Sequence, residues 1–95
     1  MIKVIKKDGK TEEFNLNKLK KSLIFTIERT NLSQEDKNMV VEKITKEVVG
    51  FLKNKKVVFS SEIEAKIILS FEEHCPQALQ IWREYRLKKE KEEVK

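Results

Sequence analysis

Two glycines and one proline are all the backbone punctuation in 95 residues, and that scarcity constrains the fold more than any other feature. Sandwiches and barrels need a tight turn after nearly every strand. Those turns draw on glycine for positive φ and on proline for a fixed φ. The chain is therefore expected to be largely helical. Its length supports one hydrophobic core and leaves no room for a second. A hydrophobic fraction of 39% is sufficient to build that core. The expected layout is a folded body over residues 1–87 and a charged tail over residues 88–95.

One of the glycines sits where a strand pattern turns. Ile2, Val4 and Lys6 alternate with Lys3, Ile5 and Lys7, and Asp8-Gly9 then precedes Lys10 to Phe14. This reads as a β-hairpin, with Gly9 supplying the positive φ. Whether its loop has two residues or carries a bulge is left open by the pattern. A first helix starts at Asn15 or Asn17, either of which can cap it. Leu16, Leu19, Leu23 and Ile27 fall at helical spacing, with Ile24 widening the stripe. Ser33-Gln-Glu-Asp36 resembles a helix start with an acidic first turn. The second helix buries Val40, Val41, Ile44, Val48, Phe51 and Leu52.

Val57-Val58-Phe59 is a short β-branched and aromatic run. It reads as a third strand joined to the hairpin, because an isolated hairpin is marginal. Ser61-x-x-Glu64 fits a capping box, with Ser60 just outside it or itself the cap. Ile63, Ile67, Ile68 and Phe71 form the stripe of a third helix. Cys75-Pro76 interrupts the helix, and proline suits the start of the next one. There Ala78, Ile81, Trp82 and Tyr85 repeat at helical spacing, and the tail from Lys88 reads as frayed. The expected order is β-β-α-α-β-α-α. The fold class is α+β, mostly helical: a four-helix bundle capped by a small three-stranded sheet.

Several chemistries are excluded by what the chain lacks. There is no phosphate-binding glycine loop and no nucleophile elbow. One histidine beside one cysteine cannot complete a zinc site. His74 reads as a cation near a helix C-terminus, Cys75 as a small buried residue, and Trp82 and Tyr85 as core. No enzyme is indicated, and no catalytic or metal-ligating set is assigned. A single cysteine allows no internal disulfide and fits a reducing, cytoplasmic setting. No apolar run approaches the roughly 18 residues of a membrane span, and the start lacks a signal-peptide core, so no membrane partner is expected.

Charge is the remaining signal. Residues 1–21 hold seven lysines against Asp8, Glu12 and Glu13, so most of the +5 net charge lies there. Such a patch favours an anionic partner. Lys6 and Lys7 adjoin the hairpin turn, and Lys18 lies one turn into the first helix, whose N-terminus itself favours phosphate. Glu12 and Asn15 can add hydrogen bonds to a base or sugar. Composition alone equally supports a solvated edge whose lysines deter strand-to-strand pairing. A nucleic-acid-binding regulator is a further reading. The chain lacks a helix rich in base-reading Arg, Asn or Gln, which weakens it.

The segment V-I-K-K-D-G-K-T-E-E-F-N-L-N-K-L, followed by V-V-F-S-S-E-I and C-P…Y-R, resembles the ATP-cone. This is the regulatory module at the start of many ribonucleotide reductases and in the repressor of their genes. The resemblance covers residues 2–87 and implies a free-standing, non-catalytic module. It would bind ATP or dATP, with Mg²⁺ through the phosphates, and regulate its own oligomeric state or a partner protein. A degenerate cone serving only as an interaction bundle is the alternative. Carried over by position, Val4 would border the base, with Glu12 and Asn15 around it. Lys6, Lys7 and Lys18 would contact the phosphates, and Ser60 would be the site's hydroxyl residue. Lys7 stands where many members carry arginine. Glu64 stands where some reductases place a histidine near the sugar, which leaves the choice between ATP and dATP open.

Overall fold

A computed structural model describes the backbone of residues 1–94 and the side chains of residues 1–88. It contains β1 (Lys3–Ile5), β2 (Thr11–Glu13), α1 (Leu16–Ile27), α2 (Gln34–Leu52), β3 (Val57–Phe59), α3 (Ser60–His74) and α4 (Gln77–Val94). The order is the expected one, and the fold is α+β and mostly helical. The tail expected to fray from Lys88 instead continues α4 as helix to Val94; the side chains beyond Lys88 lie outside the described residues.

The hairpin loop is Lys7-Asp8-Gly9, closed where Lys6 N donates to Lys10 O at 2.8 Å and Gly9 N donates to Lys6 O at 3.0 Å. Gly9 has φ of 87°, the one positive φ among the described residues. This is a turn followed by a left-handed glycine bulge, which settles the loop type. Asp8 Oδ1 accepts from Lys10 N at 3.0 Å and stiffens the far side of the turn.

β1 is the central strand. It pairs antiparallel with β2 (Lys3↔Glu13, Val4↔Glu12, Ile5↔Thr11) and parallel with β3 (Lys3↔Val57, Val4↔Val58, Ile5↔Phe59). The parallel pairing has a consequence that local sequence does not carry. The carboxyl ends of β1 and β3 lie side by side, so Lys6-Lys7 and the start of α3 emerge at the same end of the sheet. α1 opens at the other end, where Phe14 N donates to Ile2 O.

Asn15, not Asn17, caps α1: its side chain accepts from Lys18 N at 3.2 Å. Such a cap contributes about 1 kcal/mol to the helix. Ser33 caps α2 by accepting from Asp36 N at 3.1 Å, as its sequence suggests. The cap of α3 differs from expectation. β3 runs into α3 without a linker, so the last strand residue is also the N-cap. Phe59 N donates to Glu62 Oε2 at 2.8 Å, and Ser60 and Ser61 fall inside the first turn. Glu64 is thereby not a capping residue and is available for other contacts.

α1 packs on α2 and α4, and α3 packs on α2 and α4, which closes the bundle. Leu23, Ile27, Ile44, Val48, Leu52, Val58 and Phe71 are fully buried, and Val4, Ala78 and Trp82 complete the core from the sheet and α4. Phe71 and Trp82 meet at a tilt with ring centroids 5.6 Å apart, as do Trp82 and Tyr85 at 6.1 Å and Tyr85 and Phe25 at 4.7 Å. Trp82 thus packs inside, as its spacing predicts, whereas Tyr85 is only half-buried and lies at the margin of the core against the exposed Phe25. Ile24 and Leu16 do not extend the buried stripe of α1. Both are exposed, because α1 turns a narrower face inward than its apolar residues could cover.

Cys75 is buried, and that burial pushes its thiol above the usual range, in keeping with a small core residue. His74, at the last position of α3, meets Glu47 of α2 through Nε2 and Oε2. Ser70 Oγ, itself buried, donates to the other Glu47 oxygen at 2.9 Å. The hydrogen bond from His74 is the main reason that the Glu47 carboxyl lies below its ordinary value of 4.5. The Ser70 hydrogen bond adds to it, while burial opposes both. A carboxyl lowered by folding contributes stability that is present above its unfolded value and lost as pH falls through the folded one. Urea unfolding should therefore show stability declining with acid below pH 4.5, and Glu47→Gln should flatten that decline. An unchanged acid limb in the variant would exclude this pair as its source.

Candidate functional site

The residues proposed from sequence lie in two groups on either side of the buried centre of the sheet. Val4, in the middle of β1, is only 5% exposed, with Glu12 of β2 opposite it on one side and Val58 of β3 on the other. Paired residues share a face, so Glu12 stands at the sheet edge on the side that faces the helices. Lys18 Nζ lies 3.7 Å from Glu12 Oε2. Asn15, one turn before Lys18, holds the start of α1 with its side-chain oxygen. Glu12, Asn15 and Lys18 therefore form one exposed polar group.

The second group gathers where β1 and β3 end. Lys6 is half-buried, directly beyond β1. Lys7 Nζ lies 3.9 Å from Glu64 Oε2. Ser60, half-buried, is the first residue of α3. The hairpin lysines therefore do not gather on the N-terminus of α1, where Lys18 stands. Lys6 and Lys7 emerge beside the N-terminus of α3 instead, because β3 is parallel to β1. The carboxyl ends of parallel strands leading into a helix N-terminus are a recurrent place for phosphate.

One residue of this group was missed by sequence reasoning. Arg86 of α4 places Nε 3.5 Å from Glu64 Oε1, so Glu64 lies between a lysine of the hairpin and an arginine of the last helix. The Y-R pair at Tyr85-Arg86 was the available signal, but nothing local to it indicates a partner 22 residues earlier. Together the two groups hold four cations (Lys6, Lys7, Lys18 and Arg86) against two carboxylates (Glu12 and Glu64). The exposed pair of Lys18 with Glu12 contributes little to stability and is inexpensive to rearrange when an anion arrives, whereas Glu64 and Arg86 are the more buried pair.

Elsewhere, Glu47, Glu73 and His74 bring ligand-type atoms within 4.8 Å of one another. His74 and Ser70 already satisfy Glu47, and the set is accounted for as a link between α2 and α3. A groove between α1 and α2, lined by Ile24, Ile27, Lys37, Val41 and Glu42, lies apart from both polar groups. Among the described residues, no helix is long and apolar enough to cross a membrane.

The architecture defines a small α+β module with a basic loop set beside a helix N-terminus. A family model for the ATP cone domain matches residues 2–90, and the chain belongs to that family. The ATP cone is a nucleotide-binding regulatory module, not a catalytic one. A comparison with curated proteins found no match.

Proposed function

We propose that this protein senses adenine nucleotides, binding ATP or dATP without chemistry and altering the assembly of itself or of a partner protein. The observation that carries the reading is the meeting of Lys6 and Lys7 with the start of α3 at the carboxyl ends of β1 and β3, in a chain of the ATP cone family. The triphosphate, with Mg²⁺, lies against Lys6 and Lys7, and the long Lys18 side chain reaches it from the start of α1. Val4 borders the base, Glu12 and Asn15 lie around it, and Ser60 and Glu64 complete the site from α3. The residues fit a polyanion in charge, and Glu64 offers an acceptor for sugar hydroxyls.

A thermal-shift panel tests the reading. A ligand that binds only the folded chain raises the melting temperature by mass action. ATP or dATP at millimolar concentration should do so, and inorganic triphosphate should do so less. Equal responses to all polyanions, or a response to DNA alone, would replace the nucleotide reading with a nonspecific electrostatic one.

A further inference from the structure

Glu64 poses a problem for a triphosphate site, and Arg86 supplies the answer. The Glu64 carboxylate is only 23% exposed and stands 3.9 Å from Lys7, one of the lysines assigned to phosphate. Left alone, it competes with phosphate for that lysine and repels the incoming anion. Its second oxygen faces Arg86 Nε at 3.5 Å. That nitrogen is buried and makes no hydrogen bond among the described residues, so the contact is a charge pair not yet tightened into a bonded one. Arginine stays charged at any working pH and offers a fork of donors to a carboxylate.

We infer that Arg86 is a positioning residue of the nucleotide site: it holds and neutralises Glu64 so that Lys7 can transfer from carboxylate to phosphate. The inference rests on the nucleotide-binding reading and adds to it a role for α4. When the triphosphate arrives, Lys7 leaves Glu64 and Arg86 becomes the carboxylate's sole cationic partner of the two. The end of the bundle formed by α4 is thereby tied to occupancy of a site built from β1 and α3.

Calorimetric titration with ATP tests this on wild type, Arg86→Ala and the double variant Arg86→Ala with Glu64→Gln. Arg86→Ala should weaken binding on the order of tenfold, since it leaves a partly buried carboxylate among the phosphate contacts. Removing that carboxylate's charge in the double variant should restore most of the lost affinity. A loss that Glu64→Gln does not restore would place Arg86 on the phosphate itself and overturn the inference, as would unchanged affinity in Arg86→Ala. If wild type itself shows no ATP binding, the nucleotide reading fails and the inference with it. Binding by wild type without rescue sinks the inference alone. Circular dichroism of each variant separates a folding defect from a binding one.

Discussion

Replacing Lys6 and Lys18 together by alanine should weaken ATP binding by roughly thirtyfold or more while leaving the fold in place. Each lysine adds a charge-assisted contact to phosphate, and such contacts contribute about 1.5–3 kcal/mol apiece where water is partly excluded. Lys6 is half-buried, whereas the Lys18 side chain is 73% exposed, so screening reduces the second contribution. A combined loss of about 2 kcal/mol or somewhat more is the expected result, which corresponds to that fold-change in affinity. The fold should survive because neither side chain is in the core. Lys18 forms only an exposed pair with Glu12, which contributes little to stability. Calorimetry with ATP and far-UV circular dichroism together check both halves. Unchanged affinity in a folded double variant would remove these lysines from the site.

Phe71→Ala should be the most damaging single truncation. Phe71 is fully buried in α3 and meets Trp82 of α4 at a tilt, so it joins two sides of the bundle. Removing a large aromatic side chain from a core costs about 3–5 kcal/mol, from the lost transfer energy and from the cavity left behind. A domain of this size is stable by only about 5–15 kcal/mol in total. The melting temperature should fall on the order of 20 °C, and the variant should be partly unfolded well below the wild-type transition. Chemical denaturation measures the loss directly. A change below about 1 kcal/mol would mean that the bundle closes over the cavity, contrary to the packing described.

Residue by residue, legibility followed the range of the interaction. The Asp8-Gly9 turn, the Ser33 cap and the stripes of Val41, Ile44 and Val48 are local, and they are where the pattern places them. The element order follows from the same local signals. The cap of α3 was misplaced because Ser61 and Glu64 match a capping box, while the direct passage from β3 to α3 selects Phe59 and Glu62. Ile24 was misjudged because periodicity shows which residues are apolar, not how wide a face the neighbouring helices cover.

The charged residues proposed for the site were legible in the sequence, and their arrangement in space was not. Lys6, Lys7 and Lys18 stand out in sequence by charge and position, yet which helix start the hairpin lysines Lys6 and Lys7 approach depends on the parallel pairing of β1 with β3 across two intervening helices. No local pattern encodes that choice. The same holds for Arg86, whose partner Glu64 lies on another helix, and for His74 and Glu47, which are 27 residues apart. Long-range ion pairs leave no periodic trace, so they are read from the structure alone.

The most direct test of the central claim is to follow backbone amide resonances of the isotopically labelled protein during titration with ATP and Mg²⁺. The account predicts saturable shifts at Lys6, Lys7 and Gly9 of the hairpin, at Asn15 and Lys18 of α1, and at Ser60 and Glu64 of α3, with Glu47 and His74 unmoved. No shifts at millimolar ATP, or shifts confined to the α2–α3 face around Glu47 and His74, would contradict it.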